Sequence, residues 1–421
     1  MPTGGTERRE LSTWGEIAEH LGVSIRTAQH WEKDKGLPVR RLAGEKGRVW
    51  AIPVELDRWR EAHLVEKPTE RPASRAVGLW AVVATAGLLL AAGAYLVSTR
   101  KGPPADFHHD GRSLVVTDEQ GRELWRKPFA ETFHRDSTPE KILENKKAWF
   151  GDLDGDGRVE LLYAYAPTTR ESTGDILFCF SETGREKWRF VPGKTVASRV
   201  ASFPPPYHLA RLMPMASDRD RTKRIVVTSF HGTRYPSQVV VLSHQGAVLG
   251  EYWHSGHLGK GELADLDGDG NQEIVFAGIS NGYGAATLLV LDPSDLGGAS
   301  HEGNPDYQLQ SLPAGREKAR LLFPRTCINR KFDPYGAPHR LVVRGDSIEV
   351  AVSERTLGPE GVNLLAFYYL NRRLELTNVL VNDPFKVYHR ELEAAGQLDH
   401  PLTEKEVAEL RNIRYLKRLG P

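Results

Sequence analysis

Hydrophobic and polar positions follow three rhythms along the chain, and each rhythm predicts a different kind of element. Residues 11 to 63 carry apolar positions at helical spacing. Thr13 followed by Glu16 is a capping-box pair, opening a helix with Ile17, Ala18 and Leu21 inward. Gly22-Val23-Ser24 turns the chain, and Ser24 caps a second helix with Ile25, Ala28 and Trp31 inward, stopped by Gly36 and Pro38. Val39 to Leu42 and Arg48 to Ile52 read as short strands around a turn, and Pro53 opens a third helix on Leu56 and Trp59. From Ala76 to Val97 there are 22 residues without a charge. At about 1.5 Å per residue they make a helix of roughly 33 Å, enough for a hydrocarbon core of about 30 Å. Beyond Gly102 the rhythm becomes short alternating runs broken by glycine, the pattern of β-hairpins.

The second helix turns Arg26, Thr27, Gln29, His30 and Lys33 outward, and with Ser24 these are types that bond base edges and phosphates. The strand pair after it carries Arg40, Arg41, Lys46 and Arg48. The run LSTWGEIAEHLGVSIRTAQHWEKDKGLPVRRL…GRVWAIPVELDRWREAH resembles the winged helix-turn-helix of MerR-type regulators and excisionases. The resemblance covers about 55 residues and implies DNA as the partner, with Ser24, Arg26, Thr27, Gln29, His30, Lys33, Arg40, Arg41, Lys46 and Arg48 as DNA-binding residues, and a homodimer on paired half-sites. A helical adaptor with a solvated basic face would carry the same sequence.

Charge refines this picture only locally. Lys+Arg total 56 against Asp+Glu 55, a net of +1, so no global field steers the chain to nucleic acid. Five basic residues in the 20 before the apolar stretch against three in the 20 after it predict a cytoplasmic N-terminus and a single-pass inner-membrane protein. Two cysteines, Cys179 and Cys327, allow at most one disulfide and exclude a Cys-rich zinc module.

The outer segment repeats. Ser113 to Gly121 with Trp125, Ile176 to Gly184 with Trp188, and Val239 to Gly246 with Tyr252 and Trp253 are three copies of strand, glycine turn and aromatic strand. Asp152-Leu-Asp154-Gly-Asp156-Gly-Arg-Val-Glu160 and Asp265-Leu-Asp267-Gly-Asp269-Gly-Asn-Gln-Glu273 each lead into a strand. Carboxylates at positions one, three, five and nine can wrap a hard cation in oxygen, so two Ca²⁺ sites are expected. Such loops resemble FG-GAP or VCBS repeats of β-propellers. In a third copy Asp218 and Asp220 align with Asp154 and Asp156, but Ala216 replaces the first ligand and Arg224 the last, and no metal is expected there. The hairpins predict about five blades near 107–128, 146–190, 206–253, 258–313 and 318–380, with six or seven left open and the first hairpin available to complete the last blade. Thr403 to Leu419 reads as a closing helix.

The expected fold is therefore multidomain: a winged helix-turn-helix at 1–65, a linker at 66–75, a transmembrane helix at 76–97, an all-β propeller at 98–395 and a C-terminal helix at 396–421. The expected function is a membrane-integrated one-component transcription regulator, with the propeller sensing an extracytoplasmic ligand or protein. The alternative is a membrane-anchored adhesion or ligand-binding propeller whose N-terminal domain makes protein contacts only. No phosphate loop, nucleophile elbow or zincin helix is present, so no enzyme is expected. His254 and His257 read as solvated turn residues, and Cys179 as core.

Overall fold

A computed structural model describes residues 10–41, 49–63, 101–216, 221–358 and 361–420. The chain divides into two compact units, Met1–Ala94 and Tyr95–Pro421.

In the first unit, helix α1 (Trp14–Leu21) is capped reciprocally by Thr13 and Glu16, and Gly22 ends it in the left-handed region that glycine adopts without strain. Helix α2 (Ile25–Lys35) starts on Ser24 and ends at Gly36. Strands β1 (Arg40–Arg41) and β2 (Val49–Trp50) pair antiparallel over two residues, and α3 (Pro53–His63) follows. Ile17, Leu21, Ala28, Leu37, Val49 and Leu56 form the small core, with Trp31 and Trp59 packed at its edge.

The second unit is a series of antiparallel meanders. Sheet 1 has strands β3 (Asp106–Asp110), β4 (Ser113–Thr117) and β5 (Glu123–Pro128). Sheet 2 has β6 (Ala148–Gly151), β7 (Glu160–Tyr165), β8 (Ile176–Phe180) and β9 (Glu186–Phe190). A two-stranded ribbon of β10 (Val196–Ala197) and β11 (Ser202–Phe203) leads to sheet 3. That sheet has β12 (Tyr207–Ala216), β13 (Lys223–His231), β14 (Ser237–Leu242) and β15 (Val248–His254). Sheet 4 has β16 (Lys260–Ala264), β17 (Glu273–Ser280), β18 (Ala285–Leu291) and β19 (Glu317–Leu322). Sheet 5 has β20 (Ala337–Arg344), β21 (Ser347–Leu357), β22 (Asn363–Asn371) and β23 (Leu376–Val381).

In sheets 1 to 4 each inner strand is buried on both faces, so neighbouring residues serve different cores, whereas β22 of sheet 5 alternates and buries one face. Leu161 packs towards sheet 1 while Leu162 packs towards sheet 3, and Val227 and Val226 divide in the same way between sheets 2 and 4. This is why strands such as Glu160–Tyr165 read as continuous apolar runs. The five meanders packed in series make a β-propeller-like fold.

Three expectations are corrected here. The fold is mostly β, and no helix among the described residues is long and apolar enough to cross a membrane. The stretch Ala76 to Val97 lies outside the described residues, and the transmembrane helix, the membrane partner and the inner-membrane placement are not carried forward. Second, the first hairpin does not complete the last blade: it keeps its own sheet, and the strand at 317–322 closes sheet 4 instead of opening sheet 5. Third, the tail is not one helix. Thr403 does cap a helix, but it stops at Glu409, and β24 (Arg414–Lys417) pairs with the free edge of β19. An unpaired sheet edge has a row of backbone groups to satisfy, and the Arg-Tyr-Leu-Lys run supplies them. Tyr415 anchors the run by donating its hydroxyl to the Leu374 carbonyl at 2.8 Å.

Candidate functional site

The two acidic loops fold alike. Asp152 accepts from the Gly155 and Gly157 amides at 2.7 and 3.0 Å, and Asp265 accepts from Gly268 and Gly270 at 2.7 and 3.1 Å. These four glycines have positive φ, which lets the backbone curl around the first carboxylate. Buried Glu160 and Glu273 each accept the amide two residues into the loop, from Leu153 and Leu266 at 2.9 and 2.8 Å. Asp156 and Asp269 instead bond the amides of Arg158 and Asn271. Carboxylate oxygens of Asp152, Asp154 and Glu160 lie within 4.8 Å of one another, and so do those of Asp265, Asp267 and Asp269.

Sequence reading missed a cation supplied by the protein itself. Lys187 on β9 reaches Asp154 and, at 3.1 Å, Glu160. Lys318 on β19 reaches Asp267 at 2.6 Å and Glu273 at 2.7 Å. Partial burial opposes the charged form of Lys318, but these two carboxylates outweigh it and raise its pKa. Hydrogen bonding to Lys318 likewise holds Asp267 below the usual carboxylate range. The signal was available: Gly184-Arg-Glu-Lys187 and Gly315-Arg-Glu-Lys318 repeat the same tetrapeptide. In sheet 1, which lacks an acidic loop, the matching run is Gly121-Arg-Glu-Leu124. The donor set still fits a hard cation in loop one, where Asp154 Oδ1 is buried without a hydrogen-bond partner. Asp218 and Asp220 of the third copy lie outside the described residues.

In the first unit the residues expected to contact DNA are largely engaged within the protein. Ser24 and Thr27 bond each other at the helix cap, 2.7 Å between hydroxyls. His30 pairs with Asp34 at 3.0 Å. Arg40 makes two bonds to Glu55, at 2.6 and 2.9 Å, and Arg41 reaches Glu32 at 2.8 Å. Arg26, Gln29 and Lys33 are exposed, while Lys46 and Arg48 lie outside the described residues. A guanidinium already forked onto a carboxylate brings little charge to a phosphate. The winged helix-turn-helix reading and its DNA partner are not carried forward.

In a meander, second-to-third turns and sheet-to-sheet connections share one end, opposite the acidic loops. At that end of sheets 3 to 5 lies a groove of about 730 Å³, lined by Arg234, Tyr235, His257, Asn281, Tyr307 and Tyr335 among others. The rings of Tyr235 and Tyr307 stand 6.4 Å apart. His257 donates to the Arg234 carbonyl at 3.0 Å, tying one loop of the groove to the next. His254 is buried, not solvated, and donates to the Ile279 carbonyl at 2.9 Å. Burial lowers its pKa to about 3, so it stays neutral and keeps that bond.

Tyr307 sits on the long connection between β18 and β19, and a buried network fixes that segment. Arg320, 1% exposed, donates to Glu302 at 3.0 Å, Ser280 at 2.8 Å and the His301 carbonyl at 2.7 Å. Glu302 also accepts from Ser300 and the Gly282 amide, at 2.7 and 3.1 Å. Every partner lies on the groove's own loops or on the strands that carry them. Cys179 and Cys327 are both buried and unpaired, in different cores. Burial raises both thiols to about 12.

No family model matches the chain, and no curated protein matches it. The chain is similar to crystal structures of BBS1N in complex with ARL6DN (13% identity, 67% of this chain and 83% of that chain, TM-score 0.30) and of BamB from Moraxella catarrhalis (12%, 68% and 75%, TM-score 0.32). It is also similar to the Pseudomonas aeruginosa PilY1 C-terminal domain, at 12% identity over 64% of this chain and 57% of that chain, TM-score 0.36.

Proposed function

We propose that the second unit is a non-catalytic binding domain that holds an extended segment of a partner protein in the tyrosine-lined groove. The observation that carries this reading is the groove itself: three tyrosines, an exposed arginine and a buried polar network that fixes one wall. Tyrosine offers large contact area with a polar tip at low entropy cost, which suits recognition of peptide backbone and side chains together. Its volume, about 730 Å³, lies in the range of ligand sites. No activated nucleophile or acid–base pair faces it among the described residues.

Calcium belongs to the same reading as a structural ion. Three clustered carboxylates and the unpartnered Asp154 oxygen support it, with the cation entering as Lys187 or Lys318 swings aside.

The test is selection of a random peptide library on the immobilised full chain. Enriched peptides should lose at least tenfold in affinity to Tyr307→Ala and Arg234→Ala, and nothing to Val248→Asp, an exposed position at the other end of sheet 3. Binding that survives both groove variants would overturn the reading.

A further inference from the structure

The C-terminal helices bring together four side chains that the binding function does not use. Cys327 opens helix Cys327–Phe332, His389 lies on helix Asp383–Ala394, and Glu406 lies on helix Glu404–Glu409. His400 lies in the segment between the last two. One ligand atom from each, Sγ, two imidazole nitrogens and a carboxylate oxygen, lies within 4.8 Å of all the others.

We infer that Cys327, His389, His400 and Glu406 form a structural zinc site that clasps the helical cap to the end of sheet 5. Three observations beyond proximity carry this. His389 is fully buried and its Nδ1 has no hydrogen-bond partner, while its Nε2 and the buried carboxylate of Glu406 face each other only at ion-pair distance, 3.5 Å. Buried polar atoms gathered at one point and held only by such long contacts are the signature of a missing partner. Second, His400 places its Nδ1 2.9 Å from the Asp399 carboxylate, which leaves Nε2 facing the cluster, 3.3 Å from Glu406. A carboxylate behind the imidazole is the usual support of a metal-bound histidine. Third, one sulfur, two nitrogens and one oxygen suit Zn²⁺ rather than Ca²⁺ or Mg²⁺.

Tetrahedral zinc at its ordinary bond lengths wants ligand atoms about 3.3–3.7 Å apart, so the cluster closes by shifts of about an ångström. The charges also balance: a thiolate and a carboxylate neutralise the divalent ion in a buried place. On binding, the Cys327 S–H bond gives way to an S–Zn bond and the proton passes to solvent. Four protein ligands leave no open position, so the role is structural.

The test uses the full chain, stripped with chelator and titrated with Zn²⁺ or Co²⁺ alone. The wild type should take up one tightly held zinc and melt at a higher temperature with it. Its cobalt form should show thiolate-to-metal absorption in the near ultraviolet, lost in Cys327→Ser and kept in Cys179→Ser. The oxygen ligands of the acidic loops cannot produce that band. His400→Ala alters a side chain that is 43% exposed, so it should fold and lose the zinc-dependent rise in Tm. That variant decides the matter if Cys327→Ser does not fold. Absence of the thiolate band in wild type, or its persistence in Cys327→Ser, would overturn the site.

Discussion

The indole of Trp188 lies across Gly246 of the next sheet and donates its Nε1 proton to the His244 carbonyl at 2.8 Å. The same lock recurs on either side: Trp125 covers Gly184, and Tyr252 covers Gly315. The last strand of each of sheets 1 to 3 thus sends an aromatic ring onto a glycine that precedes the last strand of the sheet that follows, which explains why glycine and aromatic travel together through the repeats.

Gly246→Ala should lower stability by about 1–3 kcal/mol, because its φ is +81° and a Cβ would meet the Trp188 ring at 2.7 Å. Urea denaturation should show a lower midpoint with an unchanged slope. Gly268→Ala shares the positive φ but meets nothing within 4 Å, so it should cost less, and equal losses would refute the ring lock.

Lys187→Gln should make the second sheet depend on calcium. Removing the ammonium leaves buried Glu160 without its cation, at a cost of about 1–3 kcal/mol. Ca²⁺ should then raise Tm more in the variant than in wild type, since the ion no longer competes with the lysine. Identical calcium responses would show that ion and lysine do not share the place.

Glu302→Gln should destabilise by about 1–3 kcal/mol, because buried Arg320 loses its closest carboxylate and keeps only Glu317, at 3.5 Å. The connection bearing Tyr307 should loosen with it. Hydrogen exchange over residues 300–308 checks this, and unchanged protection there would separate the ion pair from the groove wall.

Acid should weaken the protein through His254. Above its ordinary pKa of 6.5 the ring is neutral folded or unfolded, and pH has no effect through it. Below 6.5 the unfolded chain takes a proton that the folded state refuses down to about 3. Stability therefore falls with pH, by about 2 kcal/mol between 6.5 and 5. His254→Gln keeps a donor for Ile279 and should flatten that slope, measured as urea midpoints at the two pH values.

The β-repeats were legible in the sequence because each hairpin states its own period, and the first three sheets fall near their expected bounds, while the boundary between the fourth and fifth was misplaced by one strand. The acidic loops were legible for the same reason. What pairs across distance was not: Lys187 meets Glu160 only after two strands intervene, and Arg40 finds Glu55 through the fold of the first unit. The zinc ligands run from Cys327 to Glu406, and no local spacing joins them. Arg41 and Glu32 were no more legible as a pair, since a basic residue in sequence gives no notice that a distant glutamate will claim it.

The clasp of Arg414–Lys417 on Glu317–Leu322 has a consequence for biosynthesis. Everything from Phe323 to Ile413 must be made before the fourth sheet gains its last neighbour. During translation that strand offers a bare ladder of amides and carbonyls to any other nascent chain. A ribosome that stalls within the fifth sheet would release a protein whose sticky flank is permanently uncovered, so premature termination there should yield aggregates while the earlier sheets are already assembled.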